Sequence, residues 1–279
     1  MVEETETGTG QRGVRRNTRQ RHEQLLRLLR EGTTQVERLA AALSVSPSTV
    51  RRDLGRLTRD RKVARTYGGA VVPEAFHERP VGESALVRRR AKASIAAAAL
   101  DLVPDAGAIF VDAGTTCAAL ARRLAEGEGA GERSLVVTRG LETAAVLAES
   151  PRIDVVMLGG RVRPLSHGLV GPLTDLALDR LSFAVAFLGA DAVDPHRGIG
   201  EPTLEETVVK ERVAARAQRV VVLADSTKLE VDDAPAWAGL PAGWTLVTDG
   251  DAPDSLAEKC ATAGVTLLRA ADETEPEPA

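Results

Sequence analysis

The nine residues from Ser46 to Leu54, SPSTVRRDL, put three hydroxyls and two guanidinium groups in one short run. Ser is a favoured N-cap and Pro a favoured first helical residue, so Ser46-Pro47 predicts the start of a helix running to Arg59. Val50, Leu54 and Leu57 fall at i, i+4 and i+7, which turns them toward a core. Ser48, Thr49, Arg51, Arg52 and Arg56 are then left on the outer face. Hydroxyls can bond phosphate or base edges, and Arg can bind guanine bidentately. Ser48, Thr49 and Arg52 are the base-edge candidates, with Arg51 and Arg56 as phosphate contacts. The helix N-terminus at Ser46 also favours a phosphate. Lys62 and Arg65, on a following hairpin, are placed over the backbone or the minor groove. Asp53 would repel phosphate, so it is expected to orient an Arg inside the domain.

A second set of residues recurs at the ends of predicted strands, where open α/β sheets bind ligands. Asp112-Ala113-Gly114-Thr115-Thr116 offers free backbone N–H groups and two hydroxyls at a helix start, which suits a phosphate. A plain strand-to-helix turn reads the same way. Thr138-Arg139-Gly140, Leu158-Gly159-Gly160-Arg161 with Arg163, and Phe187–Asp191 followed by Gly198-Ile199-Gly200 are three more such segments. In Ala224–Lys228, Lys228 could neutralise an anion. Cys117 and Cys260 are far apart, the four histidines are scattered, and no metal-like spacing links them, so no metal, cofactor or catalytic residue is expected.

Helical periodicity marks residues before Ser46, with Leu25, Leu26, Leu28 and Leu29, then Val36, Leu39, Ala40 and Leu43. Past Arg59, KVARTYGGAVV alternates and reads as a two-stranded wing. From Lys92 onward, apolar strands at 108–111, 135–138, 154–158, 183–188, 220–224 and 245–248 alternate with helices. That pattern predicts a mostly parallel sheet covered on both faces.

Charge divides the same way. Residues 11–70 hold 15 Lys and Arg against five Asp and Glu, whereas residues 71–279 carry a net charge of −11. A basic small module joined to an acidic large one fits a nucleic-acid reader with a partner domain of another kind. No apolar run reaches about 18 residues and the first ten residues lack an apolar leader, so a cytoplasmic chain with no membrane partner is expected.

The residues of the basic module match a family. Arg21, Leu25 and Leu29, then Ser46, Thr49-Val50-Arg51-Arg52-Asp53-Leu54, and Thr66-Tyr67-Gly68-Gly69-Ala70 resemble the N-terminal signature of the DeoR family of bacterial regulators, which usually has His where Tyr67 stands. The loops of the larger part resemble that family's sensor domain, which is similar in turn to the ribose-5-phosphate isomerase/CoA-transferase-like fold. The resemblance implies a phosphorylated sugar as effector. It implies effector-binding roles for Asp112, Gly114, Thr115, Thr116, Gly159, Gly160, Arg161, Asp191, Glu206, Lys210 and Lys228. Two departures weigh against catalysis. Leu188 replaces an acid of the isomerase pattern, and Arg197 replaces a lysine, which removes a group able to exchange a proton.

The expectation is therefore an α/β chain with an N-terminal winged helix-turn-helix. Its parts are a tail over 1–16, the DNA-binding domain over 17–73, a linker over 74–91, the sensor over 92–269 and an acidic tail over 270–279. Its function is expected to be that of a repressor of carbohydrate catabolism genes, binding double-stranded operator DNA as a homo-oligomer, a dimer or tetramer. A sugar-phosphate enzyme with an appended DNA-binding module and a sequence-independent architectural protein are the rival readings.

Overall fold

The computed structural model describes residues 21, 22, 24, 25, 27–29, 33, 35–59, 64–66, 69–71, 78–129 and 134–271. The chain divides into two units, Met1–Ala75 and Phe76–Ala279. The expected terminal tail over 1–16, Lys62, the Tyr67-Gly68 tip and most of the acidic tail lie outside the described residues.

In the first unit, residues 21, 22, 24, 25 and 27–29 are helical, followed by helices Val36–Ala42 and Pro47–Arg59. Their apolar faces meet in one cluster of Leu25, Leu29, Val36, Leu39, Ala40, Val50, Leu54 and Leu57. Strands β1 (Ala64–Thr66) and β2 (Gly69–Val71) pair antiparallel, with Arg65 opposite Ala70, as the wing the alternation predicts.

The second unit is built on a seven-stranded sheet in which every neighbouring pair is parallel. Its strands are β3 (Ile109–Val111), β4 (Ser134–Thr138), β5 (Ile153–Met157), β8 (Phe183–Leu188), β11 (Ala217–Leu223), β13 (Thr245–Thr248) and β14 (Thr266–Arg269), in the order β14-β13-β11-β8-β3-β4-β5. Alternate residues serve opposite faces, as the pleat requires. Ile109, Val111, Val185, Phe187, Val221 and Val247 pack with helices Arg89–Leu100 and Thr115–Ala125. Phe110, Val137, Ala186, Leu188, Val220, Val222 and Leu246 face helices Pro172–Leu178, Leu204–Ala214 and Ser255–Ala263.

Six of these strands stand where the sequence pattern puts them, and β14 is a seventh. It is four residues long and only partly buried, so it lacks the continuous apolar run that marks the others. The segment Gly198-Ile199-Gly200, expected as a loop, lies within strand β10 (Gly198–Glu201), which sits between β9 (Ala192–Asp194) and β12 (Ala236–Ala238) in a small antiparallel sheet. A hairpin of β6 (Arg161–Val162) and β7 (Leu169–Val170) follows β5.

The latter part of the stretch expected as a linker, 74–91, is packed structure. Val81–Ser84 is a helical turn, and the Val81 N–H donates to the Leu165 carbonyl at 2.8 Å. Arg88, at φ 55°, ion-pairs with Asp249 at 2.7 Å and Asp251 at 2.8 Å. A backbone N–H or C=O brought against the sheet needs a partner, and these contacts supply it. Ala270, expected in the tail, likewise bonds to Thr248 and is buried.

The order of the strands places the site. From β3 the chain runs outward through β4 to β5, then returns to β8 on the other side of β3 and continues outward to β14. The reversal falls between the C-terminal ends of β3 and β8, the position where open parallel sheets take ligands.

Candidate functional site

Two places carry the chemistry. The first is the helix Pro47–Arg59. Ser46 Oγ accepts from the Thr49 N–H at 3.2 Å and lies 2.8 Å from the hydroxyls of both Ser48 and Thr49. Ser46 therefore caps the helix, and its hydroxyl is engaged there rather than free for DNA. Val50, Leu54 and Leu57 are buried. Ser48, Arg51, Arg52 and Arg56 are exposed and Thr49 is half-buried. Arg51 Nη2 donates to Glu37 Oε1 at 3.2 Å across an exposed pair, a contact weak enough to exchange for a phosphate. Arg65 sits on β1.

Asp53 faces inward. Arg21 Nε donates to Asp53 Oδ2 at 2.6 Å, and His22 Nε2 lies 3.1 Å from the other oxygen. Burial alone would raise this carboxyl, but the Arg21 and His22 side chains beside it hold it below the usual carboxylate range. The acid that could not face DNA thus ties the first helical segment to the reading helix.

The second place is the C-terminal edge of the parallel sheet. Asp112, at the end of β3, is sealed from solvent. Its Oδ1 accepts from Arg139 Nε at 2.6 Å and from the Ala113 N–H at 2.8 Å, and its Oδ2 lies 3.3 Å from Lys210 Nζ. Arg139 is buried too, and its Nη2 donates to Glu206 Oε2 at 2.9 Å. Arg163 Nη1 and Ser166 Oγ donate to Glu206 Oε1 at 2.9 and 3.1 Å. Lys210 Nζ donates to the Gly189 carbonyl and to Glu201 Oε1, both at 2.6 Å. Arg163 also grips Glu78 with two parallel bonds, 2.7 Å from Nη1 and 2.6 Å from Nη2.

Four carboxylates, Asp112, Glu206, Glu201 and Glu78, thus meet three cations, Arg139, Arg163 and Lys210. Their acidities move apart. Burial pushes the Glu201 carboxyl up to about 8, against the pull of Lys210. Burial would raise Glu206 as well, but Arg139, Lys210 and Arg163 hold it far below the usual carboxylate range. Cys117, buried beside Asp112, has its thiol pushed far above the ordinary range by burial and that negative charge.

Three of the expected effector contacts are paired with other charges inside the network. Asp112, Glu206 and Lys210 turn to one another and form a closed floor, because a charge removed from water must be paired. Above that floor, Gly114 takes φ 98°, a conformation costly for any other residue, as the N-cap of helix Thr115–Ala125. Gly114, Thr115 and Thr116 are half-buried and accessible at the helix start, whose first N–H groups have no partner within the helix. Lys228 Nζ donates to Asp191 Oδ1 at 2.9 Å, so these two also stand together at the edge, each about one-third to one-quarter exposed.

Gly159, Gly160 and Arg161 stand apart. The Gly159 carbonyl accepts from Thr174 Oγ1 at 2.6 Å, and a Cβ on Gly160 would lie 2.8 Å from the Val170 carbonyl oxygen. Gly160 is required by the close packing of the hairpin on helix Pro172–Leu178, and Gly159 binds that helix through its carbonyl. Arg161 pairs with Glu205 at 2.7 Å on the surface. The pairing roles of Arg139, Arg163, Glu78 and Glu201 were not legible beforehand. One signal existed: Glu206 and Lys210, spaced i and i+4 on one helix, share an inward face. Trp237 is covered by Arg197, 3.8 Å from its ring centre, and Trp244 packs in the core.

The comparisons with known proteins divide the chain at the same place. The model of the DeoR-like helix-turn-helix domain matches residues 21–76, and that of the DeoR C terminal sensor domain matches residues 87–250. The chain is 31% identical to the putative aga operon transcriptional repressor of Escherichia coli O157:H7, over 76% of this chain and 78% of that one. It is 31% identical to the lactose phosphotransferase system repressor of Lactococcus lactis subsp. lactis, over 87% of this chain and 95% of that one. Ribose 5-phosphate isomerase A from Neisseria gonorrhoeae overlays half of this chain on about half of its own, 50% and 52%, at 19% identity and a TM-score of 0.37, too loose to carry residue roles across.

Proposed function

The chain belongs to the DeoR family of transcriptional regulators, and from that premise we propose that it is a repressor of carbohydrate genes whose hold on DNA is released by a phosphorylated sugar. The observation that carries this reading is the divided helix Pro47–Arg59. Its inner side is buried, and its outer side offers Ser48, Thr49, Arg52 and Arg56 to a groove. Ser48, Thr49 and Arg52 read base edges. Arg51, Arg56, Lys62 and Arg65 hold the phosphate backbone, which sets affinity more than sequence. Ser46 starts that helix and aims its N-terminus.

The effector's phosphate sits on the half-buried Gly114-Thr115-Thr116 helix start, with Lys228 and Asp191 beside its sugar. Asp112, Glu206 and Lys210 form the floor beneath. Binding shifts the population of DNA-competent chains because the effector favours the released state. A homo-oligomer places two reading helices on a two-fold operator.

The site is not catalytic in this reading. A proton-transferring base must be free to take a proton, and Glu206 is gripped by Arg139, Arg163 and Ser166 and held deprotonated. Among the described residues no group of His, Cys, Asp and Glu is placed to hold a metal ion, and no helix is long and apolar enough to cross a membrane.

The test is a mobility shift with the chain's own promoter and a panel of sugar phosphates. The wild type is expected to bind and one phosphate ester to release it. Replacing Thr115 and Lys228 together is expected to abolish release while leaving DNA binding intact. A double variant that still releases normally removes the assignment of the pocket, and turnover of an aldose phosphate by the purified protein removes the non-enzymatic reading.

A further inference from the structure

Glu78 is the one carboxylate of the buried network that neither belongs to nor directly adjoins a sheet strand or covering helix. Asp112 follows β3, Glu201 ends β10 and Glu206 belongs to helix Leu204–Ala214. Glu78 comes from the chain that leads out of the first unit, seven residues past Val71. It is nonetheless held like a ligand. Arg163 donates to it from both Nη atoms at 2.7 and 2.6 Å, the fork that a guanidinium offers equally to a carboxylate or a phosphate. Both side chains are about nine-tenths buried.

Resting on the repressor reading, we propose that Arg163 is an anion-binding residue of the sensor site and that Glu78 occupies it as a built-in stand-in for the phosphate of the effector. A phosphomonoester that takes Arg163 evicts Glu78 and frees the segment that follows it.

Three observations support the exchange. The network has no cation to spare beyond those its own carboxylates already hold, so a further anion is admitted only if one carboxylate leaves. Asp112, Glu201 and Glu206 lie in or directly beside regular elements, whereas Glu78 precedes the first helical turn of its unit. The Arg163 N–H donates to the Gly168 carbonyl at 3.0 Å, and a Cβ on Gly168 would lie 3.1 Å from Ala113 Cβ, so Arg163 borders the loop that holds Gly114 and Thr115.

The segment has a second fixing point. Arg88 binds Asp249 and Asp251, and Lys92 Nζ donates to the Ser84 and Val87 carbonyls at 2.6 and 2.8 Å. Eviction of Glu78 therefore removes one of the contacts that hold residues 78–87, the Val81–Leu165 and Lys92 bonds being others, and leaves the chain fully anchored from Arg88 onward. A ligand that must displace an internal competitor binds with its affinity reduced by the fraction of open sites.

The test uses the full-length protein and inorganic phosphate as probe, with binding followed by calorimetry and backbone amide exchange read over residues 79–87. Glu78→Gln keeps hydrogen bonding but loses the charge. It is expected to bind phosphate about tenfold more tightly than the wild type, with Glu78→Asp between the two. Arg163→Gln and Arg163→Lys are both expected to lose most of the phosphate affinity. Phosphate should speed exchange at residues 79–87 in the wild type and change nothing further in Glu78→Gln. Unchanged or weaker phosphate binding in both Glu78 variants overturns the proposal. So does affinity that survives both Arg163 variants, slower exchange at residues 79–87 with phosphate bound, or no phosphate binding by any form. The repressor reading fails separately, if the wild type does not bind its own promoter. It survives if sugar phosphates release the wild type and Glu78→Gln alike, an outcome that removes only the latch.

Discussion

Arg139 donates from Nε to Asp112 Oδ1 at 2.6 Å with both side chains sealed from solvent, and this pair joins the ends of β3 and β4 beneath the proposed phosphate loop. Two motifs that each read as a ligand loop are thereby one closed surface. The guanidinium satisfies Asp112 and Glu206 together and so fixes the loop above it.

Removal of that guanidinium is expected to be costly. Arg139→Ala leaves Asp112 and Glu206 buried with less compensation, and breaking a buried pair from one side costs about 3–5 kcal/mol. Chemical denaturation monitored on the second unit checks this, and a loss under about 1 kcal/mol would show that water or repacking replaces the arginine.

The network also sets a pH dependence. Glu201 is raised from 4.5 to about 8, so between those values the folded chain holds a proton that the unfolded chain has lost. Stability is expected to fall as pH rises through that window. Glu206 is lowered, so its contribution is present above about 4.5 and is lost on acidification below it. Thermal melts against pH should show both limbs, and Glu201→Gln should flatten the decline between 4.5 and 8. A wild-type melting temperature that rises over that window contradicts the assignment.

Ser46 separates a capping role from a reading role. Ser46→Ala is expected to lose about 1 kcal/mol of stability in the first unit, since its Oγ accepts from the Thr49 N–H. Base preference should be unchanged. Altered preference in a binding-site selection would add Ser46 to the set of base contacts.

Arg52 and Arg51 should behave differently on DNA. Arg52→Ala is expected to cost about 1–3 kcal/mol and to relax preference at one base position. Glu37→Gln releases Arg51 from its exposed pair and removes a negative charge near the phosphates, so nonspecific affinity should rise modestly, with a steeper salt dependence. Equal effects of both changes on every sequence would mean that Arg52 too is only a backbone contact.

The division of the reading helix was legible in the sequence, because Val50, Leu54 and Leu57 repeat at the helix period and periodicity is a local property. The inward role of Asp53 followed from charge alone. Six strands of the large sheet were legible as apolar runs, and the loops at their ends were correctly set on one edge. The small sheet around β10 was not, because two glycines spaced i and i+2 read equally as a loop or as a strand that lets Trp237 and Ala234 approach.

What the sequence by itself determined is therefore the set of elements and the charged residues that cap them. Which charges neutralise which was decided only by the tertiary structure. Asp112 and Arg139 are 27 positions apart, Arg139 and Glu206 67, and Glu78 and Arg163 85. No local pattern encodes such pairs. They form because the reversal between β3 and β8 gathers five chain segments at one edge, where burial leaves each charge no partner but another.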